Sequence, residues 1–199
     1  MSTNTAKIAA RIAELERDLE LEFEAGMAEK RRQFGYSVKK GRIAFEDEVC
    51  ALHGKLRLAW PKFLWAAPLA SLLVSPVIYA LIVPLLLLDF WLWVYQAICF
   101  PVYGIAKVER SRYVALDRGH LTYLNWIERF NCDYCGYANG VVAYAREVAS
   151  RTEQYFCPIK HARRSAGPHA RYHEFLDFGD AKAYRAKLKE IRAELGREK

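Results

Sequence analysis

The sequence predicts an all-α membrane protein, a two-span transmembrane helical hairpin carrying long amphipathic cytoplasmic helices. Three observations predict it. Residues 63–106 form a 44-residue apolar run whose one charged side chain is the carboxylate Asp89. Basic residues flank that run on both sides, and both remaining arms show apolar residues recurring by steps of four and three. The chain therefore divides into an arm at 1–62, the hairpin at 63–106 and an arm at 107–199.

A bilayer core about 30 Å thick is crossed by roughly 20 apolar helical residues, so the run supplies about two crossings. The turn is expected between Pro84 and Asp89, which divides the run near its middle. Asp89 would then sit wet at the far interface beside Trp91 and Trp93; an intramembrane ion or proton site is the sharper alternative. Lys55, Arg57 and Lys62 precede the run, and Lys107, Arg110, Arg112 and Arg118 follow it. Positive flanks stay cytoplasmic, so both termini are expected in the cytoplasm with an even number of crossings. A re-entrant hairpin bent at Pro68, Pro76, Pro84 and Pro101 gives the same sidedness. About 60 residues of charged sequence precede the run, which is not the layout of a cleaved signal peptide.

In the first arm, Ile8, Ile12, Leu15, Leu19, Phe23 and Met27 form one apolar stripe between Glu14, Glu16, Arg17, Asp18, Glu20 and Glu22, the pattern of an amphipathic helix. Ser2-Thr3-Asn4-Thr5 offers capping side chains at its start. The same spacing resumes after Gly35 through Val38, Phe45, Val49, Leu52 and Leu56, so the arm is one long helix or two that turn between Gly35 and Gly41. Such a coiled-coil-like seam asks for a partner helix, from this chain or a second copy. Self-association or a place in a membrane-protein complex is the expected partnership, alongside the lipid bilayer.

In the second arm a seam rich in tyrosine runs through Tyr123, Ile127, Phe130, Tyr134, Tyr137, Val141, Tyr144, Val148 and Tyr155. Pro158, Gly167 and Pro168 interrupt it. Tyr184, Leu188, Ile191 and Leu195 then begin a third amphipathic segment that is expected to pack on the first arm. The net charge of +7 is concentrated after the membrane run, where 18 basic residues face 12 acidic ones, against 12 and 10 before it. Anionic lipid accounts for that surplus without nucleic acid as a partner. His169 and His173, among Arg163, Arg164, Arg171 and Tyr172, fit a solvated basic loop at the membrane surface. No phosphate loop, GxSxG elbow or HExxH pair occurs, and no catalytic residue is assigned; the balance leans away from an enzyme.

Five cysteines, at 50, 99, 132, 135 and 157, belong to a chain expected in a reducing compartment, so structural disulfides are not expected. Cys50 and Cys99 read as small apolar fillers. Cys132, Cys135, Cys157 and His161 are candidate metal ligands. Two thiolates two residues apart can curl around one cation, and a closed Cys3His set suits zinc, with iron the lesser fit. Geometry opposes it, since helix over Val141 to Tyr155 would hold Cys135 and Cys157 more than about 20 Å apart.

Two alternatives stay open. A helical hairpin turning at 132–139 would bring Cys157 and His161 toward His120 and leave Cys132 and Cys135 as a redox dithiol near a helix N-terminus. An unbroken helix from Leu121 to Phe156 would instead place Cys132, Gly136, Asn139 and Ala143 on a small-residue packing face.

The segment CDYCGY resembles the first knuckle of rubredoxins and zinc ribbons, and Cys157-Pro158 the start of their second. The likeness covers about ten residues and lacks the last cysteine. NCDYCGYANG and TEQYFCPIKHARR, taken with PVIYALIVPLLLLDF, resemble a family of uncharacterised bacterial inner-membrane proteins over most of residues 60–185. That resemblance implies the bacterial inner membrane and assigns no residue a role. The functional expectation is a nonenzymatic assembly or accessory subunit stapled by a zinc-type site. A thiol or metal redox protein is the alternative, and an oligomeric channel or transporter the weaker one.

Overall fold

The apolar run does not turn back on itself. In the computed structural model, which describes residues 3–39, 42–163 and 166–197, a short helix α3 (Trp60–Ala66) ends before Pro68. The helices α4 (Leu69–Ala80) and α5 (Ile82–Tyr103) then follow with one residue between them. Together they form one 35-residue element, Leu69–Tyr103, whose most apolar stretch has no buried residue. The expected two spans are thus corrected to one helix long and apolar enough to cross a membrane. The reason is local. Residues 80–89 contain no glycine, asparagine or serine to reverse the chain. Pro84 only removes one amide donor, and the backbone tightens at Leu81, whose N–H donates to Ile78 O at 3.3 Å. With one such helix the even number of crossings expected from the basic flanks does not follow.

Gly104 ends α5. Its φ of 66° is left-handed, and its N–H and that of Ile105 return to carbonyls of the last turn, Pro101 O at 3.3 Å and Phe100 O at 2.9 Å. The described chain folds as two compact units, each built from two stretches: Met1–Leu73 with Leu116–Tyr134, and Val74–Ala115 with Cys135–Lys199.

The first unit begins with α1 (Thr3–Gln33), which Gly35 stops in a left-handed conformation (φ 58°). Ser2 and the side chains of Thr3 to Thr5 lie outside the described residues, so the expected cap does too. Helix does not resume after Gly35. A two-stranded antiparallel hairpin follows instead, β1 (Tyr36–Lys39) with β2 (Arg42–Phe45), in the register Tyr36 opposite Phe45 and Val38 opposite Ile43. Residues 40 and 41, including Gly41, lie outside the described residues. The expectation of helix through Val38 and Phe45 is corrected here. Tyr36, Val38, Ile43 and Phe45 alternate with Ser37, Lys39, Arg42 and Ala44, and the period of two places them on one face. Helix α2 (Asp47–Leu56) follows. Rings then link these elements to residues 121–126: Tyr36 with Phe45, Phe45 with His53, His53 with Tyr123, and Trp60 with Trp126.

The second unit is organised by α5 and by α6 (Trp126–Phe156), which runs unbroken for 31 residues and gives this unit its part from Cys135 onward. Phe100, Ile105, Val108, Tyr144, Val148 and Leu195 form its core. Val141, Tyr144 and Val148 of the tyrosine-rich seam are fully buried, as a packing role requires. The contacts Asp89 to Tyr137 and Gln96 to Tyr144 advance by seven residues on both helices, so α5 and α6 run parallel. Helix α7 (Ala181–Leu195), capped by Asp180 through Ala183 N–H at 2.9 Å, turns its seam inward. Leu195 enters this core, and Arg192 Nε donates to Tyr155 O at 2.8 Å. The segment therefore packs on α5 and α6, where the sequence suggested the first arm.

Candidate functional site

The four expected metal ligands are placed as follows. Cys132 and Cys135 lie one turn apart inside α6, and Cys157 lies just past its end, with its N–H donating to Glu153 O at 2.7 Å. Twenty-two residues of continuous helix set Cys135 and Cys157 about 33 Å apart, so one ion cannot bind both. His161 is exposed, its backbone N–H donating to the Tyr172 hydroxyl at 2.7 Å. Among the described residues no group of three or more histidine, cysteine or acidic side chains is placed to hold a metal ion. Chain reversal at 132–139 does not occur, and both thiols lie within α6 rather than before its start, which removes the dipole-end basis for a dithiol.

The unbroken-helix alternative describes α6, and its small-residue face is real but shifted. A Cβ on Gly136 would stand 3.2 Å from Ala115 O. On Gly140 it would stand 2.7 Å from Tyr113 O and 2.9 Å from Val114 Cα. Gly136 and Gly140, four residues apart, thus let the backbone of residues 113–115 lie directly on the helix. Asn139 is exposed and only returns a hydrogen bond to Cys135 O. The start of α6 is fixed by a capping box that the sequence contained in Asn125-Trp-Ile-Glu128. Asn125 Oδ1 accepts from the N–H groups of Ile127 and Glu128, and Glu128 Oε2 accepts from Asn125 N–H.

Asp89 is not wet. Its side chain is 15% exposed and accepts Arg110 Nε and Nη2 at 2.9 and 2.7 Å and the Tyr137 hydroxyl at 2.9 Å. Because the helix continues through residues 84–89, this carboxylate faces α6, where a bidentate guanidinium and a phenol supply what water would. Burial raises the Tyr137 phenol above its ordinary value and the hydrogen bond to Asp89 adds to it; that same carboxylate, hydrogen-bonded to Arg110, raises the guanidinium.

One helical turn pair further on, Gln96 is buried and fully used. Its Nε2 donates to the Tyr144 hydroxyl, and its Oε1 accepts Val108 N–H at 2.7 Å. A third polar layer centres on Glu147. Burial pushes its carboxyl up, and hydrogen bonds from Arg151 Nε (2.9 Å) and Arg171 Nη2 (2.8 Å) outweigh this and hold it below the usual range. Arg151 also donates to Ala106 O at 2.7 Å, and His169 Nε2 lies 2.9 Å from Glu153 Oε2. His169 and Arg171 therefore belong to the packing of α6 rather than to a solvated loop; Arg164 lies outside the described residues.

These layers form a polar seam between packed elements, with the Asp89 and Glu147 carboxylates each held by guanidinium groups. Sequence reasoning placed Tyr144 in the seam without its polar partner and passed over Gln96 and Glu147, because polar residues inside seams look like ordinary interruptions. The repeated seven-residue offset was the one trace of them.

A second exposed feature is α1. Ile8, Ile12, Leu15, Leu19 and Phe23 are all solvent-exposed along it. Comparison with family models, with curated proteins and with solved structures gives no match to this chain.

Proposed function

We propose that the chain is a nonenzymatic, membrane-anchored assembly or accessory subunit of the bacterial inner membrane that joins a second copy of itself through α1. One observation carries this: a 31-residue helix along which Ile8, Ile12, Leu15, Leu19 and Phe23 are all solvent-exposed. Most helical stability in proteins comes from packing an amphipathic face, so an exposed stripe of this kind asks for a partner. Ile8 and Leu15 fall at d positions and Ile12 and Leu19 at a positions of one heptad frame, with Arg11 at g and Glu16 at the following e. In a parallel pair Arg11 of one copy meets Glu16 of the other, an attractive g to e′ contact. The apolar helix Leu69–Tyr103 supplies the anchor. A zinc staple through Cys132, Cys135, Cys157 and His161 has no part here, because α6 holds Cys135 and Cys157 apart.

Light scattering of the purified chain in detergent tests the pairing. The wild type is expected at twice the protomer mass, and Leu15→Glu with Leu19→Glu at the protomer mass with unchanged helix content by circular dichroism. A monomeric wild type, or a double variant that still pairs, refutes self-assembly through α1.

A further inference from the structure

Within the first unit the hairpin, α2 and residues 117–123 enclose a half-open cavity of about 590 Å³. That is the size of sites that take a drug-sized molecule. Its walls are rings to an unusual degree. Phe34, Tyr36, Phe45, His53 and Tyr123 contribute aromatic faces and edges, and Ile43, Leu56 and Leu121 add aliphatic surface.

These rings already form a connected cluster: Tyr36 to Phe45 tilted at 5.6 Å between centroids, Phe45 to His53 edge-on at 5.3 Å, and His53 to Tyr123 edge-on at 5.0 Å. The middle ring is fixed in place, since His53 Nδ1 lies 3.2 Å from Thr122 Oγ1. A rigid row of rings open on one side favours a flat ring as its next member, each aromatic contact adding about 0.5–1.5 kcal/mol beyond area burial. A saturated chain gains nothing from that geometry.

The charged groups narrow the class further. Asp117 and Arg118 both line the cavity, and neither makes an ion pair among the described residues. One negative and one positive group together present no net charge, so a charged ligand meets one repulsive neighbour. A neutral ring that both accepts and donates hydrogen bonds satisfies the two. Arg118 offers donors to ring oxygens, and Asp117 accepts from ring hydroxyls. The same unit contains the beginning of the apolar helix, residues 69–73, and the paired rings of Trp60 and Trp126, which suit a membrane interface.

We propose that this cavity binds the ring of a neutral, membrane-soluble hydroquinone, packed against the Phe45, His53 and Tyr123 rings with one hydroxyl donating to Asp117 and the other accepting from Arg118. The inference concerns binding alone and is independent of pairing through α1.

The test uses the full chain in lipid nanodiscs under anaerobic conditions and durohydroquinone, whose oxidation product is a fully substituted ring that cannot alkylate the cysteines, with binding read by titration calorimetry. Saturable binding at one site per chain is expected, weakened about tenfold in Phe45→Ala, the loss corresponding to one or two ring contacts. Leu121→Trp, which fills the cavity, should abolish it. Arg118→Ala removes an exposed side chain and leaves the fold untouched, so it decides the matter if the other two variants misfold; it should weaken binding severalfold. Titration with decanoate distinguishes an acyl-chain site. Decanoate binding where durohydroquinone does not, or durohydroquinone binding that Arg118→Ala and Leu121→Trp leave unchanged, overturns the proposal.

Discussion

Gly140 sits in the middle of α6 with the backbone of residues 113–114 laid across it, and replacing it by alanine sets two known effects against each other. Alanine is the better helix former by about 0.8–1.0 kcal/mol at an interior position. The added Cβ, however, meets Tyr113 O at 2.7 Å and Val114 Cα at 2.9 Å, both main-chain atoms that cannot swing aside as a side chain would. Overpacking of this kind costs about 1–3 kcal/mol, so the net expectation is a loss of about 1 kcal/mol.

Two other helical glycines provide the scale. Gly136 would place its Cβ 3.2 Å from Ala115 O, a contact that yields by a few tenths of an ångström, and Gly136→Ala should be close to neutral. Gly26 of α1 has nothing within 4 Å, so Gly26→Ala should add the full helical gain of about 1 kcal/mol. Thermal unfolding of the three variants in one detergent, followed by circular dichroism, should rank them Gly26→Ala above Gly136→Ala above Gly140→Ala. The last should fall about 2–4 °C below wild type for a chain of this size. A Gly140→Ala protein as stable as Gly26→Ala would refute the close approach on which the packing of α6 is argued.

Asn125→Ala removes the side-chain acceptor that caps α6 and should cost about 1 kcal/mol in denaturant unfolding, whereas Asn125→Ser, which keeps an acceptor, should recover most of it; equal losses would refute the capping box. A double-mutant cycle on Asp89→Asn and Arg110→Met should give a coupling of about 1 kcal/mol, limited by the 44% exposure of the guanidinium, and zero coupling would show that the pair does not clamp α5.

Glu147 titrates below its ordinary range in the folded chain, so its stabilisation is complete above the unfolded value of about 4.3 and is lost as pH falls through the lower folded value. An acid unfolding series should therefore steepen below about pH 4.3, and Glu147→Gln should be less stable at neutral pH and flatter in that window. Parallel acid profiles for the two proteins would refute the role given to Arg151 and Arg171.

The pattern of apolar residues by itself determined most of the helices. The stripe of α1, the tyrosine-rich seam of α6 and the inward face of α7 are each written as steps of four and three, because burial needs one side of a helix and the period of 3.6 fixes which residues occupy it. Gly35 was legible only as one end of a stretch, 35–41, where the arm could turn. The hairpin at 36–45 was also present as an alternation of two, yet in so short a stretch Val38 and Phe45 fit either period, and only pairing across the strands separates them.

Tertiary structure alone decided three things. Counting apolar residues between 63 and 106 gives length but not direction, and whether Pro84 bends or reverses the chain depends on neighbours that counting cannot include. Asp89 looked like an interface residue because its partners, Arg110 and Tyr137, lie 21 and 48 residues away. Cys132 to His161 carried the spacing of a metal knuckle, and α6 carried the spacing of a helix; the two cannot hold together. The helix prevails in the structure because Val141, Tyr144 and Val148 bury a continuous apolar face on the core, a gain spread over many contacts, whereas two thiols one turn apart commit the backbone to nothing.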